Sequence, residues 1–290
     1  MPIKRMFRKD NTIYLLILPS LIGLGLFYVV PFGISIYYAL IDNAVSRQFV
    51  GIHNFIDTWH NIAFRLAVRN TALFMVTSIP INMGLALILA MALQPMKKTT
   101  KRILMLFFLM PLVIPSGSMV HVWDALIRIN GMVNRTLITQ GFIDAPIDWL
   151  NSDHAMVFIV IIFIWKNIGF NMILFQTGLD FIPKEYYEFA SVEGAGRFRR
   201  FFMVTLVYLG PTFLLVFIMS VVNSFKVFRE IYVLTGTHPH RPIYLLQHFL
   251  NNQFAALNYQ RMASASFFIF GAIFILVLIL YKLQQRQTYI

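Results

Sequence analysis

Apolar residues run along this chain in six long, nearly uninterrupted segments separated by shorter polar connections. A helix that crosses about 30 Å of hydrocarbon needs about 20 apolar residues, and each segment is long enough. The segments do not alternate between apolar and polar positions, as the strands of a membrane barrel would. The pattern therefore predicts six membrane-spanning helices, at residues 13–40, 68–93, 103–123, 154–179, 203–223 and 260–282.

Composition supports this interpretation and narrows the class of fold. Hydrophobic residues make up 58% of the 290 positions and charged residues only 12%, whereas soluble domains carry roughly 25% charged residues. A soluble domain of this length cannot bury so much apolar surface, so lipid must cover it. In lipid only helices or closed barrels satisfy every backbone group, and continuous apolar runs favour helices. The chain is thus predicted to be an all-α membrane protein.

Several prolines fall within the predicted spans. Neighbouring helices and Ser or Thr side chains can satisfy the carbonyl groups that a proline leaves free inside a membrane. The prolines therefore predict kinks without excluding any span, and kinks suit a bundle whose helices move. These residues are Pro19, Pro31, Pro80, Pro111, Pro115 and Pro211.

Lys and Arg are distributed unequally between the two sides of the predicted bundle. Cytoplasmic connections carry the excess of basic residues in membrane proteins, which places both termini in the cytoplasm. This topology also accounts for the net charge of +12, so no nucleic-acid partner is expected. The inner pieces 1–12, 94–102, 180–202 and 283–290 hold Lys4, Arg5, Arg8, Lys9, Lys97, Lys98, Lys101, Arg102, Lys184, Arg197, Arg199, Arg200 and Arg286. The outer pieces, longer in total, hold Arg47, Arg65, Arg128, Arg135, Lys226, Arg229 and Arg241.

The lengths of the connections leave no room for a second, soluble domain. We expect a short cytoplasmic N-terminus at 1–12, one transmembrane domain at 13–282 and a cytoplasmic tail at 283–290. There are no cysteines, and His238 and His240 have no third ligand nearby, so no metal site is expected. No phosphate-binding loop occurs, and no catalytic residues are predicted. The near absence of ionisable residues in the spans disfavours a proton-coupled carrier.

The inner segment 180–202 carries the strongest local pattern. Pro183 suits the first turn of a helix, and Glu185 and Glu188 follow near that helix's positive end, where acidic residues are favoured. Gly194 and Gly196 allow the chain to bend sharply before the next span. The segment therefore predicts a short amphipathic helix, a glycine turn and a return into the membrane.

This segment closely resembles the EAA loop of binding-protein-dependent ABC importer permeases. Glu188, Phe189 and Ala190 occupy the Glu-Ala-Ala positions of that loop, and Gly194 lies at the expected spacing. Phe189 replaces an alanine that packs against the ATPase, so local packing is expected to differ. Val207 replaces a downstream proline, which should straighten the start of the fifth span. The resemblance implies that ATPase coupling involves Glu185, Glu188, Ala190, Glu193, Gly194, Ala195 and Gly196.

The segments YLLILPSLIGLGLFYVVPF, FVGIHNF and WKNIGFNMILFQTGLDFIPKEYYE extend the resemblance over nearly the whole chain. They are similar to the carbohydrate-uptake branch of that family, on the side of the larger maltose-importer membrane subunit. The resemblance implies a type I ABC importer transmembrane domain in the bacterial cell membrane. Its implied partners are a second, homologous permease in a heterodimer, two cytoplasmic ATPase subunits and an extracellular or periplasmic solute-binding protein. ATP and Mg would bind to the ATPase subunits, and no cofactor to this chain.

The same resemblance implies two sets of residues along the solute pathway. The positions fall on Trp165, Ile168, Gly169 and Met172 in span four, and on Ser220, Ser224 and Val227 in the later span. As an independent check, the spacing within each set places its members on one helical face. Asn167, Asn171 and Asn223 add amide groups at similar depth. Amides and hydroxyls also hold membrane helices together, so each residue retains that alternative role.

Lys166 is the one charged residue placed well within a predicted span. It could reach the membrane surface, pair with a partner subunit or contact an anionic solute. The solute class also stays open: a sugar is favoured, and polyol phosphates or peptides are alternatives for the same architecture. A transporter that works without ATP is the alternative from a different class. The sequence itself does not name the solute.

Overall fold

The computed structural model describes residues 6–43 and 45–288 of the chain. Lys4 and Arg5, which support the predicted orientation, lie outside the described residues. Apart from an isolated bridge between Ile41 and Phe49, the described residues form helices and their connections. The α-helices are α1 (Met6–Leu24), α2 (Val30–Leu40), α3 (His53–His60), α4 (Ile62–Leu93), α5 (Lys98–Val113), α6 (Ser116–Ile127), α7 (Met132–Thr139), α8 (Ala155–Asp180), α9 (Lys184–Val192), α10 (Arg197–Arg200), α11 (Leu206–Tyr208), α12 (Gly210–Lys226), α13 (Phe228–Thr235), α14 (Leu246–Ala255) and α15 (Tyr259–Thr288).

The prediction of an all-α membrane protein is confirmed. Five helical segments are long and apolar enough to cross a membrane, and the count rises to six when one bent pair of helices forms a single span. Five of the predicted spans match unbent segments at Leu16–Leu40, Ile62–Leu93, Ala155–Asp180, Gly210–Thr235 and Tyr259–Lys282. The orientation of these spans stays a prediction.

The third predicted span, 103–123, is not a straight helix. α5 ends at Val113, and the chain turns by 94° before it continues from Ser116. Ile114 precedes Pro115 and has an extended backbone, with ψ of 126°. Contact between the proline ring and the preceding residue disfavours helical backbone at that residue. The sequence correctly marked this site for a kink, but the bend is much sharper than a kink.

The fifth predicted span, 203–223, differs from the structure at both ends. A π-helical turn at Phe201–Thr205 and the three-residue α11 precede α12, so the prediction that Val207 straightens this region was wrong. Pro211 explains the break before α12, because a proline ring conflicts with the carbonyl group four residues earlier, here that of Val207. At the other end the candidate span continues to Thr235. Lys226 and Arg229 therefore lie within it rather than in an outer connection.

The described chain divides into two compact units, residues 1–61 with 253–270 and residues 62–252 with 271–290. In the first unit, aromatic rings from α2 and α15 meet: Phe32 lies 5.4 Å from Phe267 and 5.8 Å from Phe270 between ring centroids. Asn54 of α3 donates to the backbone carbonyls of Ala39 and Ile41. The prediction of one transmembrane domain at 13–282 stays a prediction.

Within the second unit, α8 is the central element and packs against α4, α5 and α12. Glycines bring two of these neighbours close. A methyl group on Gly169 would overlap the backbone carbonyl of Phe108 in α5, and one on Gly178 would press on Leu209 and Thr212. Small residues let membrane helices approach in this way. The α5–α8 contact therefore depends on the absence of a side chain at Gly169.

Gly169→Ala should destabilise the protein by about 1–3 kcal/mol, because the added methyl group must displace backbone rather than a flexible side chain. Thermal unfolding of the purified protein in detergent, followed by size-exclusion chromatography, would measure the loss. Gly84→Ala is the matched control, since a methyl group there meets no atom within 4 Å. Equal unfolding temperatures for the two variants would contradict the close approach of α5 and α8.

His248 of α14 makes folding of the second unit sensitive to acid. The side chain is fully buried, 4.7 Å from the ring of Phe228, and burial lowers its pKa from 6.5 to about 4. Its Nδ1 accepts a hydrogen bond from the backbone N–H of Leu245 at 3.2 Å. α14 lies outside the candidate spans, so this group can exchange protons with water when the unit opens.

Stability should fall as pH decreases from about 6.5 towards 4, because the unfolded chain then binds a proton that the folded chain excludes. The loss from this group amounts to a few kcal/mol, at about 1.4 kcal/mol per pKa unit. Unfolding temperatures measured in detergent between pH 7.5 and 4.5 test it. In His248→Asn the decline should be shallower, and an unchanged decline would assign the acid sensitivity to other groups.

Candidate functional site

The predicted coupling loop forms a helix, a glycine turn and a second helix. α9 begins directly after Pro183 and ends at Val192. Gly194 has φ of +75°, its N–H bonds the carbonyl of Ser191, and the N–H of Ala195 bonds the carbonyl of Ala190. This hydrogen-bond pattern is the Schellman motif, whose left-handed residue is usually glycine. Gly196 has an ordinary extended backbone before α10, so the sharp turn depends on Gly194.

The loop has one face that packs on the protein and one that is exposed. Ile182, Tyr187 and Ala190 lie in or against the apolar cluster formed by α4, α8 and the fifth span. The opposite face presents three acidic residues, Glu185, Glu188 and Glu193. Among the described residues, none of the three carboxylates has an ion-pair partner. Their charges are free to meet cations of another chain.

Large apolar side chains are exposed beside these acids. Phe189 is 71% exposed, Val192 87% and Phe198 83%. The ring of Phe189 therefore stands outward at the position where the family has alanine. An apolar patch bordered by charges marks an interaction surface more often than it marks free surface.

Polar contacts attach this loop to the spans that it joins. The hydroxyls of Tyr187 and Thr205 lie 3.0 Å apart, and Arg200 donates to Ser191 at 2.8 Å. At the end of α8, Asp180 pairs with Lys101 of α5 at 3.3 Å. Gln176 joins the same group by donating to Asp180 and to Gln94, which directly follows α4. Polar contacts thus join the start of the loop to α5, to α8 and to the residue that follows α4.

Two predicted solute residues form a buried polar node together with a residue that the sequence analysis missed. Asn171 of α8 donates to Asn82 of α4 at 2.6 Å and to Ser220 of α12 at 2.9 Å. Oδ1 of Asn171 is buried without a partner. The node ties three helices together, which is the alternative role expected of membrane amides and hydroxyls.

Other members of the predicted solute set lie in packed surroundings. Met172 is fully buried and Ile168 packs beside it in one apolar cluster, while Gly169 lies against α5. Ser224 is buried and donates to the carbonyl of Val221 in its own helix. Trp165 is half-buried, with its ring 5.3 Å from that of Trp123. Their role in solute passage stays a prediction.

The remaining three members line one cavity of about 400 Å³ between the α5–α6 bend, α8 and the α12–α13 span. They are Asn167, Asn223 and Val227. Pockets for small molecules in proteins measure about 300–1,000 Å³, so a sugar-sized group is a suitable occupant. The wall combines apolar residues with ionisable ones: Leu112, Val113, Ile114, Pro115, Ser116, Ile162, Phe163, Lys166, Lys226, Arg229 and Glu230.

A buried triad borders this cavity. The ammonium group of Lys166 pairs with Oε1 of Glu230 and donates to Oγ of Ser116 at 2.8 Å. Ser116 in turn donates to the same carboxylate oxygen at 2.8 Å. The side chains of Lys166 and Glu230 are 19% and 4% exposed. Lys166 thus finds its partner within its own chain, a possibility that the sequence analysis had not considered.

Glu230 was not predicted because the fifth span was expected to end at 223, which placed residue 230 in an outer connection. Ser116 lay within the third predicted span, and its contacts with Lys166 and Glu230 join residues far apart in sequence. One signal could have found Glu230. The stretch VFREIYVLT, at residues 227–235, is mostly apolar, so the predicted fifth span could have been extended to include residue 230. A lone lysine in a span also calls for an acidic partner.

Comparisons with known proteins identify the family of this chain. The model of the family described as "Binding-protein-dependent transport system inner membrane component" matches residues 84–288. This chain belongs to that family. The matched range contains the coupling loop, the cavity and the triad.

Relatives of the permease come from several bacteria. The chain is 30% identical to the probable ABC transporter permease protein YesP of Bacillus subtilis over 80% of this chain and 76% of the relative. It is 29% identical to the lactose transport system permease protein LacF of Rhizobium radiobacter, over 77% and 75%. It is 27% identical to the sn-glycerol-3-phosphate transport system permease protein UgpA of Yersinia enterocolitica, over 95% and 94%.

Solved structures share the fold of this permease. A chain of a bacterial ABC transporter involved in the import of the acidic polysaccharide alginate matches with a TM-score of 0.83 at 18% identity, over 99% of both chains. A structure of the bacterial alginate ABC transporter in complex with an alginate pentasaccharide-bound periplasmic protein matches with a TM-score of 0.82, also at 18% identity, over 99% and 98%. At this identity the likeness concerns the fold. The family match and the sequence relatives confirm the resemblance to binding-protein-dependent ABC importer permeases.

Removing one member of the Lys166–Glu230 pair should destabilise the protein more than replacing both members. Glu230→Ala leaves the buried ammonium group of Lys166 unpaired and should cost about 3–5 kcal/mol. Replacing both residues, as Lys166→Met with Glu230→Leu, should recover most of that loss, because apolar side chains replace buried ion pairs with little penalty. Thermal unfolding in detergent measures both variants. A double variant no more stable than Glu230→Ala would contradict the pairing.

Proposed function

We propose that this permease is one of two membrane-spanning subunits of a bacterial ATP-driven importer for a sugar or oligosaccharide. The observation that carries the proposal is the exposed loop around α9, with its Schellman turn at Gly194. Its acidic residues have no ion-pair partner within the part of the chain that the structure describes. A transporter that worked alone would have no use for such a surface. Family membership supports the same conclusion, since the family serves binding-protein-dependent transport.

The proposed partners follow from this role. A second, homologous permease would complete the translocation pathway, two cytoplasmic ATPase subunits would bind ATP and Mg, and a solute-binding protein would deliver the solute from outside. Both termini and the α9 loop would lie in the cytoplasm, in agreement with the distribution of Lys and Arg. The membrane would be the bacterial inner or plasma membrane.

In this proposal the loop transmits the closure of the ATPase dimer to the spans. Glu188 would pair with a basic residue of the ATPase, and the exposed rings of Phe189 and Phe198 would pack beside it. The contacts of Tyr187 with Thr205 and of Asp180 with Lys101 keep the loop from moving independently. A push on α9 would therefore reach α8 and α12 together, and the permease would alternate between inward and outward access.

Sugar is favoured as the solute because relatives at similar identity carry sugar transport in their names, as the lactose permease does. The name of the glycerol-3-phosphate permease supports a polyol phosphate as the second candidate. The cavity at Asn167, Asn223 and Val227 is the proposed place of contact with the solute. Its amide groups can exchange hydrogen bonds with hydroxyl groups.

Reconstitution of the complete complex in liposomes tests the proposal. The complex contains this permease, its partner permease, both ATPase subunits and the cognate binding protein, and the solutes are lactose, maltose, trehalose, maltotriose, sn-glycerol 3-phosphate and an alginate trisaccharide. Uptake of at least one solute should require ATP and the binding protein and should stop with vanadate. Uptake that continues without ATP would show a secondary transporter instead.

Gly194→Asp in the same assay should abolish uptake while the permease remains in the membrane, as immunoblotting would show. The aspartate brings a side chain into left-handed backbone, which costs about 1–2 kcal/mol for most residues, and adds charge beside Glu193. Gly194→Ala and Gly196→Ala separate backbone strain from added charge. Gly194→Ala introduces strain without charge, because Gly194 has a positive φ, whereas Gly196→Ala introduces neither. Normal uptake by Gly194→Asp would exclude the coupling role.

A further inference from the structure

The cavity at the α5–α6 bend carries an unbalanced charge. Four ionisable side chains line it: Lys166, Lys226, Arg229 and Glu230. Glu230 is paired with Lys166, so these two charges cancel. Two positive charges remain, at Lys226 and Arg229.

Neither remaining cation has an acidic partner among the described residues. The ammonium group of Lys226 donates to the amide oxygen of Asn223 at 2.8 Å, a neutral acceptor. Arg229 forms no described side-chain hydrogen bond or ion pair. Both side chains are exposed, so a ligand can reach them. The carboxylate of Glu230 is already engaged by two donors on one oxygen and does not neutralise them.

The place of these cations in the fold makes the imbalance significant. Both lie in the candidate span Gly210–Thr235, and charges within spans are rare, costly and normally paired. Residues 226 and 229 are three apart in a helical segment and therefore share one side of it. Two donors on one side, one of them a guanidinium group that can bind both oxygens of an anion, form a suitable receptor for an anionic group.

We infer that Lys226 and Arg229 form a subsite for an anionic group of the solute, the carboxylate of an acidic sugar or the phosphate of a polyol phosphate. This inference rests on the proposed function and refines its solute class. The amides of Asn167 and Asn223 contact the hydroxyl groups of the solute, and the cations contact its negative oxygens. Glu230 holds Lys166 away from the solute.

The experiment uses the complete complex with its cognate binding protein, reconstituted in vesicles of phosphatidylcholine, a lipid without net charge. Three solutes are compared at saturating binding protein: an alginate trisaccharide as the carboxylate, sn-glycerol 3-phosphate as the phosphate, and maltotriose as a neutral sugar. The wild-type complex should import one of the two anionic solutes much faster than maltotriose. The anionic solute that is imported shows whether the subsite binds a carboxylate or a phosphate.

Lys226→Gln with Arg229→Gln should lower import of that anionic solute about a hundredfold, since two charge-assisted hydrogen bonds are lost and each is worth about one factor of ten. Lys226→Arg with Arg229→Lys keeps both charges and should restore most of the rate. Arg135→Gln is the matched control, because it removes an exposed cation of α7 that does not line the cavity. Detergent unfolding temperatures show that the variants are folded.

Four results would overturn the inference. The wild-type complex could import maltotriose and neither anionic solute, which would leave the proposed function intact. The glutamine double variant could match Arg135→Gln. It could lose the partner permease on purification, which would show that the cations pair across the subunit interface. Finally, the absence of any ATP-dependent uptake would refute the proposed function and this inference with it.

Discussion

A polar side chain on a membrane-spanning helix has no water to bind, so it must find its partner inside the protein. α8 meets this constraint at three levels along its length. Lys166 pairs with Glu230, Asn171 bonds Asn82 and Ser220, and Gln176 bonds Gln94 and Asp180. These contacts bind α8 to helices on several sides. The arrangement of the helices in the second unit follows from the need to satisfy the polar side chains of α8.

Close packing and polar bonding reinforce each other around α8. Gly169 and Gly178 let α5 and the fifth span approach, and the polar groups then lie near enough to bond. The lower level of contacts, at Gln176 and Asp180, also supports the coupling loop. The upper level, at Lys166, borders the cavity. A single helix, α8, thus connects the surface proposed for the ATPase with the site proposed for the solute. Alternating access requires such a connection.

The two ends of this connection differ in how much the sequence could predict. The coupling loop is local: Pro183, the acidic residues and Gly194 are within one short segment, and a Schellman turn depends on hydrogen bonds between neighbours in sequence. Its helix, turn and exposed acids were predictable for that reason. The outward position of Phe189 was not, because it depends on which face of α9 packs on the spans.

The cavity and the triad are not local. Lys166 and Glu230 are 64 residues apart and Ser116 lies a further 50 residues before Lys166, so periodicity along the chain contains no information on their contact. The predicted solute residues share helical faces as expected, yet only Asn167, Asn223 and Val227 line the cavity. The other predicted solute residues pack against neighbouring helices, and residue spacing along the chain gives no information on where those helices lie.

The sequence by itself determined the all-α membrane fold, the approximate spans and the helix and glycine turn of the predicted coupling loop, because hydrophobic length and short-range turn chemistry are properties of continuous segments. Only the tertiary structure decided the 94° bend between α5 and α6, the extension of the fifth span past Lys226 and Arg229, and the partner of Lys166. These features depend on how helices far apart in sequence share a limited interior. Lys166, Asn171 and Gln176 bond the partners that packing brings within reach.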